Sequence, residues 1–289
     1  MTRRLVLVLA IAAAAGGGGL AGCTSTDRPL LICHNANCVE GSPTGGDDTL
    51  DALRGSLALR MPDGTHPYDG VEIDSVWDRA RGQCTFAHDP DPAAPELAEA
   101  AQLIVDHLTA APIGGAAHGA ARGVGFYLKI ELKVDVGGGA THTPDEVAAH
   151  VGCVLDAAQA AISAGLASGN PVVPIFDSDD PKLLAAIPAT AFSGGAGRGV
   201  LFEAEWGAAL PASFAAQIST LGWFDDPRAI AWDVAAPVAN ERDVTGPRGG
   251  LLIWARDPSL TDLSEMLEHH PAYLGVNNIS TARDLIDAE

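Results

Sequence analysis

From Gly125 to Val134 the chain alternates charge and hydrocarbon with a period of two. Lys129, Glu131 and Lys133, continued by Asp135, lie on one side, and Leu128, Ile130, Leu132 and Val134 on the other. Successive strand side chains point to opposite faces, so the segment is predicted to be a β-strand with one charged and one apolar face. If the apolar set packs on helices, the charged set must turn toward an interior. A charged interior is hard to explain as core, because buried charges need partners or a metal. Asp69–Trp77 repeats the pattern: Glu72 and Asp74 share one face while Val71 and Ile73 take the other.

The remaining chain alternates strands with helices. Strands are predicted at Pro29–His34, Asp69–Trp77 (extended by Thr85–His88), Gly125–Val134, Pro171–Asp177, Gly199–Trp206, Ala229–Val234, Gly250–Ala255 and Leu274–Ile279. Helices are predicted at Thr49–Arg60, Pro95–Ala110, Pro144–Gly165, after Asp180, Ala212–Leu221, Leu260–His269 and Thr281–Ile286, from apolar spacing and end signals such as Pro144. Ala111–Gly123 and Ala235–Gly249 read as loops. Repeated βα units in a chain of this length predict one α/β domain over residues 29–289, a (β/α)8 TIM barrel with a helix missing from its sixth unit. An open doubly wound sheet is the runner-up. It favours a glycine-rich nucleotide loop after the first strand, which the sequence lacks; Gly195–Gly199 has the wrong spacing and precedes a strand. No G-x-S-x-G nucleophile turn occurs.

In such a barrel functional groups gather at the C-terminal ends of the strands. His34 ends the first strand. Glu72 and Asp74 occupy the later part of the second, and His88-Asp89 closes its extension. Glu131 and Lys133 follow on the third. Carboxylates crowded on one face repel each other, and a divalent cation relieves the repulsion.

The order His, Glu-x-Asp, His-Asp, Glu-x-Lys resembles the phospholipase-C-like phosphodiesterase superfamily, which includes glycerophosphodiester phosphodiesterases, sphingomyelinase-D-type phospholipases and phosphoinositide phospholipases C. The resemblance spans most of the chain after about residue 29. It implies that Glu72, Asp74 and Glu131 hold Mg²⁺ or Ca²⁺, with Asp135 a lower-ranked ligand. It implies that His34 and His88 act as general base and acid, and that Lys133 lies close to the phosphate. Asn35 resembles the Asn of the phosphoinositide enzymes' His-Asn pair, which helps hold metal or phosphate; Asn37 is another candidate. Trp254, in LLIWARD, resembles the tryptophan of the family's seventh strand. The implied substrate is a glycerophosphodiester or a phospholipid head-group phosphodiester. The chain departs from the family in having His34-Asn35-Ala36 for His-Arg-Gly, and Asp47-Asp48-Thr49 where Glu-Asn-Thr is usual. A catalytically silent barrel serving as a surface-binding lipoprotein is the alternative. His66, His107, His118, His142, His150, His269 and His270 read as surface or helix residues.

The first 22 residues read as a lipoprotein signal peptide, with Arg3 and Arg4, the apolar run Leu5–Ala15, and Leu20-Ala21-Gly22-Cys23 as a lipobox. Acylated Cys23 with a tether to Arg28 is expected to anchor the protein outside the cytoplasm, at a bacterial cell membrane. No later apolar run reads as a membrane span. With 17 basic against 37 acidic residues, nucleic acid is disfavoured as a partner, as is loose binding to anionic lipid. A monomer is expected. Cys33, Cys38, Cys84 and Cys153 fit no zinc spacing. Three pairings of these four are possible; Cys38–Cys84 across a loop is weakly preferred, with Cys33 in a strand and Cys153 in a helix then read as buried free thiols.

Overall fold

The computed structural model describes residues 28–40, 46–110, 126–136, 140–188, 191, 201–205, 218–223 and 250–288. Its strands are β1 (Leu30–Cys33), β2 (Gly70–Asp78), β3 (Gln83–Phe86), β4 (Phe126–Leu132), β5 (Val172–Asp177), β6 (Leu201–Glu205), β7 (Ile218–Gly222), β8 (Gly250–Ala255) and β9 (Tyr273–Val276). The α-helices among the described residues are α1 (Leu50–Ala58), α2 (Leu97–Ala110), α3 (Pro144–Ser168), α4 (Pro181–Ala186), α5 (Leu260–Glu268) and α6 (Ile279–Ala288).

Among the described residues, all strands except β3 join one ring, each parallel to both neighbours. β1 pairs with β2, β2 with β4, and the pairing runs through β5, β6, β7, β8 and β9 back to β1. β3 lies outside, antiparallel to the end of β2. This is the (β/α)8 barrel that the repeated units predict, and its closure removes the unpaired edges of an open sheet.

Strand alternation sorts residues into two cores. Leu30, Ile32, Tyr127, Val173, Ile175, Leu252 and Tyr273 point inward and plug the barrel. Leu31, Cys33, Val71, Ile73, Leu128 and Ile130 point outward under the helices. Toward the C-terminal ends the same inner face turns charged. Glu72 lies beside Lys129 and Asp74 beside Glu131, and Glu131 in turn beside Asp177. Gly70 lets β2 lie against β4, since a Cβ there would sit 2.4 Å from the Tyr127 carbonyl oxygen.

The helices follow their end signals. Thr49 caps α1 by accepting from the Ala52 amide. Thr143 and Glu146 form a capping box on α3, Pro144 opens it, and left-handed Gly169 (φ 79°) closes it. By length and composition α3 could cross a membrane, against the sequence reading. Yet His150, Val154, Ala158 and Ala161 are buried along it, which fits a helix of the outer layer. α6 is tied to the base of the barrel by buried Arg283, which donates to the Pro67 carbonyl (3.0 Å) and pairs with Asp69 (3.2 Å).

Three sequence expectations need correction. The sixth strand of the ring is β7, where a helix over Ala212–Leu221 was expected. Ile218 and Thr220 are β-branched and suit a strand, and β7 bridges β6 to β8. Ala229–Val234 and both expected loops lie outside the described residues, as do the signal segment and Cys23. The disulfides are Cys33–Cys38 and Cys84–Cys153, with Cα separations of 5.6 and 6.5 Å. Cys33 and Cys38 both face the outer shell, and Cys153 on α3 reaches Cys84 on β3. Finally, His66 is buried and lies outside any helix, whereas His150 is on α3 as expected and is buried there. His150 bonds to Ser75 Oγ (3.0 Å) and to His142 (2.9 Å).

Candidate active site

β1 ends at Cys33, and His34–Ala36 form a short 3₁₀ turn. His34 Nδ1 lies 3.1 Å from Asn277 Oδ1, just past β9. An amide oxygen only accepts, so Nδ1 donates and Nε2 keeps its lone pair. Trp254 stacks on the imidazole with centroids 5.0 Å apart and planes 16° apart. Burial lowers the His34 pKa, although Glu72 and Asp74 pull the other way. Its ring is therefore neutral near pH 7.

His88 stands two residues beyond β3 and is partly open to solvent. Its Nδ1 is 2.7 Å from Asp74 Oδ2. An ionised carboxylate only accepts, so Nδ1 donates and Nε2 is the nitrogen left for a reacting group. The hydrogen bond to Asp74 raises the His88 pKa, outweighing partial burial. The two imidazoles are thus displaced in opposite directions.

Between them, Lys129 Nζ contacts Glu72 (2.7 Å) and Asp177 (3.3 Å). Lys133 Nζ contacts Glu131 (2.7 Å) and Asp74 (3.0 Å). Among the described residues, four carboxylates face two ammonium groups there. Burial and the neighbouring Asp74 and Asp177 push Glu131 up to about 8, despite the lysines. Burial also opposes the Asp74 charge, but Lys133 and His88 outweigh it and hold the carboxyl down at about 2. Asp48 stands behind, accepting from the Asp74 amide at 3.0 Å, and burial and Asp74 raise its pKa.

This donor set fits a hard divalent cation. Oxygens of Glu72, Asp74 and Glu131 lie within 4.8 Å of one another, and Asp48, Asp74 and His88 form a second such group. Glu72 Oε2 and Asp74 Oδ1 are buried without a hydrogen-bond partner. Oxygen-only ligands match Mg²⁺ and Ca²⁺ chemistry.

A cleft of about 790 Å³ opens above the cluster. His34, Asn35, Glu72, His88, Glu131, Lys133 and Trp254, all singled out in the sequence, line it. Asp74 lies fully buried beneath. Asp135 is exposed past the end of β4, outside both carboxylate groups. Sequence reading missed Asp177, Asn277, Asp48 and Arg256, and took Lys129 only as part of a charged face. Asp177 and Asn277 could have been found, because both stand at the C-terminal ends of ring strands. Arg256 lies two residues beyond Trp254; its guanidinium pairs with Asp47, which also accepts from Asn37 Nδ2 at 2.9 Å.

Set beside solved structures, the chain shares its barrel fold with a glycerophosphodiester phosphodiesterase of known structure. It is similar to a glycerophosphodiester phosphodiesterase from Parabacteroides distasonis, with a TM-score of 0.58 and 12% identity, over 91% of this chain and 98% of that one. The glycerophosphodiester phosphodiesterases of Agrobacterium tumefaciens (TM-score 0.49, 12% identity, 91% and 100% covered) and Thermotoga maritima (0.44, 12%, 89% and 98%) are also similar. At such identity the likeness concerns the fold. No protein-family model matches the chain, and no curated relative matches it.

Proposed function

We propose that the protein is a metal-dependent phosphodiesterase that hydrolyses a glycerophosphodiester or a phospholipid head-group phosphodiester. One observation carries the reading: two histidines with oppositely displaced pKa values line one cleft above clustered carboxylates, of which Glu72 and Asp74 each bury an oxygen without a hydrogen-bond partner. Glu72, Asp74 and Glu131 would hold Mg²⁺ or Ca²⁺, which when bound neutralises charge on a phosphoryl oxygen. His34 Nε2 accepts the proton of the attacking hydroxyl, either water or a hydroxyl of the substrate. His88 Nε2 donates a proton to the departing oxygen as the phosphorus–oxygen bond breaks. Arg256 and Lys133 bind the phosphate, Asn35 adds a polar contact, and Trp254 keeps the His34 ring in plane. Asp74 serves twice, as a ligand and as the anchor of His88. In this reading Cys23 carries the lipid that holds the protein, as a monomer, on the outer face of the cell membrane.

The test is hydrolysis of bis-(p-nitrophenyl) phosphate and a panel of glycerophosphodiesters with added Mg²⁺ or Ca²⁺, with EDTA as control. ³¹P NMR identifies the product. Metal-dependent turnover is expected. Binding of diesters without turnover would favour a silent binding barrel instead.

A further inference from the structure

Cys33, His34, Asn35, Ala36, Asn37 and Cys38 form a short loop closed by a disulfide between its ends. Within it Asn35 (φ 49°) and Ala36 (φ 54°) are both left-handed. Asparagine tolerates that region, but alanine does so poorly, because its Cβ crowds the following carbonyl. Such backbone persists only where its surroundings over-determine it.

The surroundings here are dense. Ser56 Oγ donates to the Ala36 carbonyl and accepts from the Cys38 amide, both at 2.8 Å. The Asp48 amide donates to the Asn35 carbonyl at 3.0 Å. Cys33 and Cys38 are buried in the outer shell, whereas His34 and Asn35 line the cleft. The bridge therefore fastens both ends of the loop to the rigid layer outside the barrel while its middle faces the inside.

A cross-link across so few residues removes less freedom from an unfolded chain than one across a long loop. The Cys33–Cys38 separation is 5 residues, and that of Cys84–Cys153 is 69. The short bridge does its work chiefly in the folded state.

We propose that the Cys33–Cys38 disulfide is a positioning element of the site. It holds the left-handed turn that keeps His34 between Asn277 and Trp254 and keeps Asn35 facing the cleft. The proposal rests on the phosphodiesterase reading, since turnover is what reports it.

The test uses full-length protein carrying C84A and C153A, so that Cys33–Cys38 is the only bridge. Turnover of bis-(p-nitrophenyl) phosphate with Mg²⁺ or Ca²⁺ is measured oxidised, after reduction with a phosphine, and after reoxidation. Circular dichroism and metal calorimetry accompany each state. Should C84A/C153A fold poorly, C33A/C38A in the otherwise native chain replaces it, compared with the native protein. Loss of the bridge is expected to lower kcat by about 10- to 100-fold, with KM and metal affinity changed by less than about threefold. The dichroism spectrum stays unchanged, and reoxidation restores the rate. A merely structural bridge would lower thermal stability without that split between kcat and KM. Turnover within about twofold of the oxidised rate, or unfolding on loss of the bridge, overturns the proposal. An oxidised protein inert toward every diester overturns the phosphodiesterase reading itself, and the positioning role falls with it.

Discussion

Asp74 Oδ2 accepts a hydrogen bond from His88 Nδ1 at 2.7 Å while the other oxygen of that carboxylate, Oδ1, is buried without a partner. One oxygen orients an imidazole, and in the proposed reading the other meets the cation. Glu72 has the same division: Oε1 pairs with Lys129 at 2.7 Å, and Oε2 is without a partner.

That arrangement separates two kinds of variant. Glu72→Gln together with Asp74→Asn should abolish divalent-cation binding in calorimetry, with the circular-dichroism spectrum unchanged. Asp74→Asn alone should also let the His88 pKa fall back toward the ordinary imidazole range, whereas Glu72→Gln alone should leave it raised. Undiminished metal affinity in the double variant would remove these ligands from the account.

The pH profile of kcat/KM follows from the two histidines. His34 must be neutral to accept a proton, and burial puts its pKa below 6.5. Activity should rise with pH through that value. His88 must be protonated to donate, and Asp74 puts its pKa above 6.5. Activity should fall as pH rises through that one. The limbs report values of the pair, and the plateau should span the ordinary histidine range. A profile with no alkaline fall would contradict His88 as the acid.

In the proposed reading Arg256 contacts the phosphate through a partly exposed side chain, 45% accessible. A charge-assisted bond there is weakened by solvent. Arg256→Ala should raise KM roughly three- to tenfold and change kcat less. Steady-state kinetics on a glycerophosphodiester decides it, and an unchanged KM would remove Arg256 from phosphate recognition.

Much of this was legible in the sequence, because a strand's period of two is local. Alternation alone put Glu72, Asp74 and Glu131 on inner faces, and the βα repeat supplied the ring that brings them together. Contacts set by closure were not legible. Cys33 reaches Cys38 because Asn35 and Ala36 turn left-handed, which no spacing signals. β7 carries helix-like residues on its N-terminal side, and it is a strand because the ring needs one between β6 and β8. Asn277 lies 243 residues from the His34 it orients, so only the fold relates them.

The proposed anchor has its own test. The chain's acidic excess, 37 acidic against 17 basic residues, offers little attraction to an anionic membrane. Cys23→Ala should therefore move the protein from washed membranes to the soluble fraction. Retention in the membrane fraction would mean a different anchor.

The central claim is the pairing of His34 as base with His88 as acid, and its most direct measurement is turnover of His34→Ala and His88→Ala. A single acid or base contributes about 10²- to 10⁴-fold, so each variant should lose that much on an unactivated diester with metal binding retained. The double variant should lose far less than the product of the two, because both groups act in one transition state. A substrate with a good leaving group should rescue His88→Ala and not His34→Ala. Near-normal turnover of an unactivated diester by either single variant, folded and metal-loaded, would contradict the account.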